Sequence, residues 1–265
     1  MSWEEVLGRV SFSNCNPVFM GISDHWKVFS APPSWLCGHV LRRDCIAAPI
    51  PTADYAKHRD ELVLLPDLAI VSRGSTGSVL IFGNRPIENM RDIAVPTDSS
   101  SSRQLLDWIL EQKGLDPRRV EMAPDLGQML EECDGALIIG DRALLESKSN
   151  PNLVIMDLGE EWTKQTSMPM VFGVFAARKD TDSIFVSKAH SDMVGQLEKF
   201  YNDPFWRSEV IKQTSKLTGL SETRLDNYYS SEVWNMLDPN AIEGLDLYLK
   251  LVCGVSEGAT WAKLH

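Results

Sequence analysis

The residues of this chain whose types and spacing could do chemistry are mostly neutral hydrogen-bonding ones, and they gather where strands give way to helices. Gly8-Arg9-Val10-Ser11-Phe12-Ser13-Asn14-Cys15-Asn16-Pro17 reads as a short strand, a polar turn and a helix start. Val10 and Phe12 alternate with smaller polar neighbours as in a buried strand, and Pro17 suits a first helical position. Ser13, Asn14 and Asn16 then crowd hydroxyls and amides just outside the strand. Ligands of open α/β sheets sit at that end of a strand. An amide offers both a donor and an acceptor, so Asn14 is the leading candidate for a group in contact with a reacting molecule. The alternative is that Asn14 and Asn16 only cap the helix, as Asn commonly does.

Two further stretches carry chemistry. In the run Thr97-Asp98-Ser99-Ser100-Ser101-Ser102 the last serines stand at the start of an amphipathic helix marked by Leu105, Leu106, Ile109 and Leu110. Serines there leave backbone N–H groups and hydroxyls aimed at an anion, which a low-complexity linker would not do. After the apolar strand Ala136–Ile139 comes Gly140-Asp141-Arg142, where Asp141 is either a proton acceptor or the N-cap of the next helix. Metal and thiol chemistry find no foothold. Cys15, Cys37, Cys45, Cys133 and Cys253 are scattered and odd in number, and His25, His39, His58, His190 and His265 show no ligand spacing. Reduced thiols and no bound metal are expected.

The elements that must position these groups form a full core. With 265 residues, 43% hydrophobic and 24% charged, the chain is expected to be a soluble α/β protein of one large or two small domains. A net charge of −11 argues against nucleic acid or an anionic membrane surface as partner, so an anionic ligand must be held by local dipoles. No apolar run approaches the roughly 18 residues of a membrane span, and Met1-Ser2-Trp3-Glu4-Glu5 lacks a secretory pattern, which together predict a cytoplasmic protein.

Strands are expected at 28–30, 45–50, 62–71, 79–82, 93–96, 120–122, 136–139, 153–156 and 170–177. Helices are expected from Pro33 with Ser34 as N-cap, from Pro51 or Thr52, and over 126–132, 193–201, 205–217 and 221–227. A final helix opens at Asp238-Pro239, with Ile242, Leu245, Leu249 and Val252 as its apolar stripe. Strict strand–helix alternation from about 92 to 170 sets off an inserted region. The expected division is 1–82 plus 178–265 as a first lobe and 92–170 as a second, with 83–91 and 171–177 as crossover or hinge segments. That is the layout of two-lobed periplasmic-binding-protein-like (type II) folds, which hold a ligand in the cleft between lobes.

Several motifs resemble the chorismate dehydratases of the futalosine route to menaquinone. They are residues 8–17, Pro-Ile-Pro-Thr-Ala-Asp-Tyr (49–55), Ser78-Val79-Leu80-Ile81-Phe82, Ile-Ile-Gly-Asp-Arg-Ala-Leu (138–144), Asp-Leu-Gly-Glu-Glu-Trp (157–162) with Met168-Pro169, and Thr-Gly-Leu-Ser-Glu (218–222). Ser13 and Cys15 stand where Leu and Ala are usual, and Thr52 where Ser is. The resemblance implies a cofactor-free hydro-lyase that converts chorismate to 3-[(1-carboxyvinyl)oxy]benzoate and water. It further implies that Asn14 and Asp141 carry catalysis while Ser11, Thr52, Ser78, Ser101, Ser102 and Gly140 hold the substrate. The proton acceptor is then Asp141 or one of the substrate's own carboxylates. A non-catalytic small-anion binding protein of the same fold, or the related lyase of the same pathway, are the alternatives.

Overall fold

A computed structural model describes residues 2–265. The chain begins with β1 (Val6–Val10), a 3₁₀ turn at Ser13–Cys15 and the short α1 (Asn16–Phe19), followed by β2 (Lys27–Ala31), α2 (Pro33–Leu41), β3 (Ala47–Pro51), α3 (Thr52–His58) and the long β4 (Leu62–Ser72). Through the middle run β5 (Val79–Gly83), β6 (Asp92–Pro96), α4 (Ser101–Gln112), β7 (Arg118–Met122), α5 (Leu126–Glu132), β8 (Gly135–Ile139), α6 (Gly140–Ser149), β9 (Val154–Asp157) and α7 (Leu158–Thr166). The chain returns through β10 (Met170–Arg178) to α8 (Ser183–Asn202), α9 (Pro204–Thr218), α10 (Glu222–Asn227), β11 (Trp234–Leu237) and α11 (Pro239–Leu251).

Two sheets result, one for each lobe. The first has six strands in the order β11-β4-β10-β3-β1-β2, and the second five in the order β7-β6-β8-β5-β9. Strands β1, β2 and β3 are parallel, whereas β10 runs antiparallel between β3 and β4. Burial on both faces explains why β3 and β5, wholly buried, read in sequence as continuous apolar runs rather than alternating ones.

The boundary between lobes differs from the sequence expectation. Val79–Gly83 does not close the first lobe: it lies inside the second sheet, antiparallel to β8 on one side and β9 on the other. The outward crossover is therefore the loop between Ser72 and Val79, not 83–91. Likewise 171–177 belongs to a central strand of the first sheet, so the return crossover is the short stretch at Ser167–Pro169, where Ser167 takes φ 60°. An added Cβ at Gly244 would collide with the Pro169 carbonyl, so α11 lies directly against that return. Trp162 donates to Pro169 O at 3.1 Å and packs between Trp108 and Tyr248, fastening α7, α4 and α11 together. Pro33 starts α2 without a side-chain cap, and the Ser34 hydroxyl reaches Thr97 O of the second lobe instead. Of the described helices, none is long and apolar enough to cross a membrane.

Candidate active site

A cavity opens between the two lobes, where β1, β3 and β8 end and α4 begins. Its polar lining consists of Asn14, Thr76, Ser78, Ser99, Ser101 and Ser102, and its apolar walls include Phe12, Ile50, Ile70, Ile139, Phe172 and Val233. No lining residue carries an ionisable side chain. An anion inside would meet only hydroxyls, one amide and backbone dipoles.

Each polar group is fixed by its neighbours. Asn14 sits in the 3₁₀ turn that follows β1, and its Oδ1 is buried with no partner in the protein, an orphan acceptor beside the cavity. Ser101 and Ser102 form the first turn of α4, a twelve-residue helix whose N-cap supplies no side-chain bond. Its first N–H groups and positive dipole end are thus left for a ligand. Ser101 Oγ accepts from Ala53 N of α3 at 3.1 Å, tying the lobes together and leaving the serine proton free to turn inward. Tyr248 OH donates to Ser101 O at 3.0 Å from behind. Ser78 Oγ accepts from Tyr228 OH at 3.0 Å and lies 3.2 Å from Thr76 Oγ1.

Gly140 lines the cavity where β8 turns into α6. It takes φ +64°, and an added Cβ would stand 2.5 Å from the Phe12 ring, so only glycine lets the lobes meet there. Its N–H donates to Ser78 O at 2.7 Å.

Three residues singled out in the sequence do not line the cavity. The carboxylate of Asp141 is directed at Ser13, accepting from its backbone N–H at 3.0 Å and from its hydroxyl. This is a clamp from the second lobe onto the turn that carries Asn14. Burial raises the Asp141 pKa above its ordinary 3.8, against the opposing pull of the Ser13 bonds and of Arg9 and Arg142. Thr52 is fully buried and donates to Val171 O at 2.7 Å. Ser11 is exposed, and its N–H completes the sheet by donating to Ala31 O at 3.0 Å.

Other parts of the site escaped the sequence reading. Asp157, at the N-cap of α7, accepts from Ser75 Oγ, Thr76 N and Gly77 N as well as from Gly159 N and Glu160 N, so one carboxylate shapes the outward crossover that presents Thr76 and Ser78. The motif was visible, but only its capping half is encoded locally. Tyr228 and Tyr229 occupy a π-turn at Tyr228–Glu232 for which no local signal exists, and both are buried. Among the described residues no three His, Cys, Asp or Glu side chains converge as metal ligands.

Comparison with known proteins gives the family and the fold. A family model described as menaquinone biosynthesis matches residues 6–253. The chorismate dehydratase of Thermus thermophilus is 30% identical over 192 residues, covering 66% of this chain and 70% of that protein. Among solved structures, a protein of Archaeoglobus fulgidus superposes with a TM-score of 0.72 at 19% identity, over 94% of this chain and 95% of that one. The alkanesulfonate-binding protein SsuA of Xanthomonas axonopodis pv. citri, bound to MOPS, gives 0.64 at 12% identity, over 93% and 92% of the two chains. A Candida albicans gene product described as having the generic periplasmic binding protein fold gives 0.65 at 14%, over 98% and 97%. The fold is therefore periplasmic-binding-protein-like, as the strand pattern led one to expect.

Proposed function

Because this chain belongs to the menaquinone-biosynthesis family, we propose that it is a chorismate dehydratase, a hydro-lyase forming 3-[(1-carboxyvinyl)oxy]benzoate and water. The observation that carries the proposal is the cavity between the lobes: walled by residues of both, with apolar sides and only neutral groups in its polar lining, and backed by the open N-terminus of α4. Such a lining suits a small dianion whose chemistry needs charge held in place rather than a strong protein base.

The reaction removes the proton from the ring carbon bearing the enolpyruvyl ether and the hydroxyl from its neighbour. Breaking that C–H bond pushes negative charge toward the ring carboxylate, and expelling hydroxide then leaves an aromatic ring, which drives the reaction. Ser101, Ser102 and the first N–H groups of α4 hold the ring carboxylate and stabilise the charge that grows there. With no carboxylate or imidazole in the lining, the acceptor is the enolpyruvyl carboxylate of the substrate, tethered to the carbon it deprotonates. The departing hydroxide takes up that same proton equivalent and leaves as water. Asn14, with its orphan Oδ1 and its amide donors, orients the hydroxyl and the side-chain carboxylate. Asp141 acts on the reaction only by holding Ser13.

The test is incubation of the purified protein with chorismate. The expected product is lighter by one water and has aromatic absorption. Chorismate that binds and is recovered unchanged would instead make the protein a solute-binding relative of the same fold.

A further inference from the structure

We infer that Tyr228 is a positioning residue for this elimination, acting through Ser78, and that the π-turn at Tyr228–Glu232 exists to deliver it. The inference rests on the proposed dehydratase reading and adds a residue outside the cavity to it. Tyr228 does not line the cavity; it lies directly behind it, 1% exposed, with its hydroxyl donating to Ser78 Oγ at 3.0 Å. A hydroxyl that accepts from a tyrosine keeps its own proton for another acceptor. For Ser78 the acceptors in reach are Thr76 Oγ1, at 3.2 Å, and whatever fills the cavity. Without the tyrosine, Ser78 and Thr76 can satisfy one another in either direction. With it, one lone pair of Ser78 Oγ is filled by the tyrosine and the other by the Thr76 hydroxyl, which leaves the serine proton for the ligand, and chained donors of this kind strengthen one another where water is excluded.

The turn itself is what makes the contact. The wide i→i+5 turn, closed by Val233 N on Tyr228 O at 2.9 Å, places two successive tyrosines in the core. Turns of this type are rare and concentrate at functional sites. Tyr229 OH goes to a backbone group, donating to Ser13 O at 2.8 Å. Tyr229 therefore supplies an internal control: same turn, same burial, same hydroxyl, but no path through Ser78.

The experiment is a double-mutant cycle on kcat and KM for chorismate with Tyr228→Phe, Ser78→Ala and the double variant, beside Tyr229→Phe with and without Ser78→Ala. Tyr228→Phe removes one oxygen and keeps the ring, and melting temperatures of all variants confirm that each is folded. The expected result is a kcat about tenfold lower in Tyr228→Phe with KM within about twofold, and no further loss when Tyr228→Phe is added to Ser78→Ala. Tyr229→Phe should combine with Ser78→Ala additively. Full activity in Tyr228→Phe, or additivity of Tyr228→Phe with Ser78→Ala, overturns the inference. Failure of the wild-type protein to consume chorismate counts against the dehydratase reading alone, and the same cycle is then read in chorismate affinity, where the coupling must still appear.

Discussion

Replacing Asp141 by Asn separates a proton acceptor from a clamp. The carboxylate takes the Ser13 N–H through both oxygens and the Ser13 hydroxyl through one. An amide of the same shape can accept one of these donors through its carbonyl, while its NH₂ group faces the other. One charge-assisted bond, of about 1.5–3 kcal/mol, is lost and the remainder weakened. Opposing this, the neutral amide escapes the desolvation cost that raises the Asp141 pKa. A net destabilisation of about 1–2 kcal/mol follows, and loosening of the Asn14 turn should lower turnover by about tenfold. A general base replaced by an amide would instead lose about 10²–10⁴-fold. Melting temperature and kcat for chorismate, measured on both proteins, decide between them. The pH dependence adds a sign. A carboxyl whose folded pKa is raised stabilises the fold below its unfolded pKa, and that contribution is lost as pH rises through the folded pKa. Wild type should therefore lose stability relative to Asp141→Asn as pH rises from about 4. A hundredfold or greater loss of turnover with an unchanged melting temperature, or the opposite pH slope, would refute the clamp.

Changing Ser101 and Ser102 together to Ala should weaken chorismate binding roughly tenfold or more, since each bond to a charged group contributes about 1.5–3 kcal/mol; titration calorimetry showing unaltered affinity in the folded variant would remove the helix start from the site. Asn14→Asp keeps the shape but sets a negative charge against a dianion, so turnover should drop on the order of a hundredfold while the melting temperature stays nearly constant, whereas a mere cap would tolerate the change in both measurements. Gly140→Ala puts a Cβ against the Phe12 ring at a φ of +64°. It should cost about 1–3 kcal/mol in denaturant unfolding and raise KM, and a variant as stable as wild type would deny that Gly140 sets the approach of the lobes.

What could be read from the sequence was whatever short-range pattern encodes. Leu126–Glu132 was placed to the residue because Asp125 caps it and its apolar face is regular, and Asp238-Pro239 announced α11 for the same reason. Asn14, Gly140 and the paired serines each sit at a strand-to-helix junction that the fold turns toward the cleft, and Ser78 lies at the end of the polar loop that leads into β5. Ser11 and Thr52 occupy junctions of the same kind, yet one faces solvent and the other the core, a distinction of one rotation along the chain that no local pattern records. The lobe boundary was misplaced because Val79–Gly83 is apolar enough for either sheet, and only its pairing with β8 and β9 decides. Tyr228, Tyr229 and the short β11 depend on partners about 150 or more residues away.

Whether the cavity carries out an elimination without an ionisable side chain of its own is tested most directly by the pH dependence of kcat for chorismate. The expected result is formation of the dehydrated aromatic product at a rate that is level between about pH 6 and 9, because the substrate carboxylates titrate near the ordinary carboxyl range of about 4 and no lining residue titrates between. A rate that rises or falls through a pKa inside that interval, or chorismate recovered intact at every pH, would contradict it.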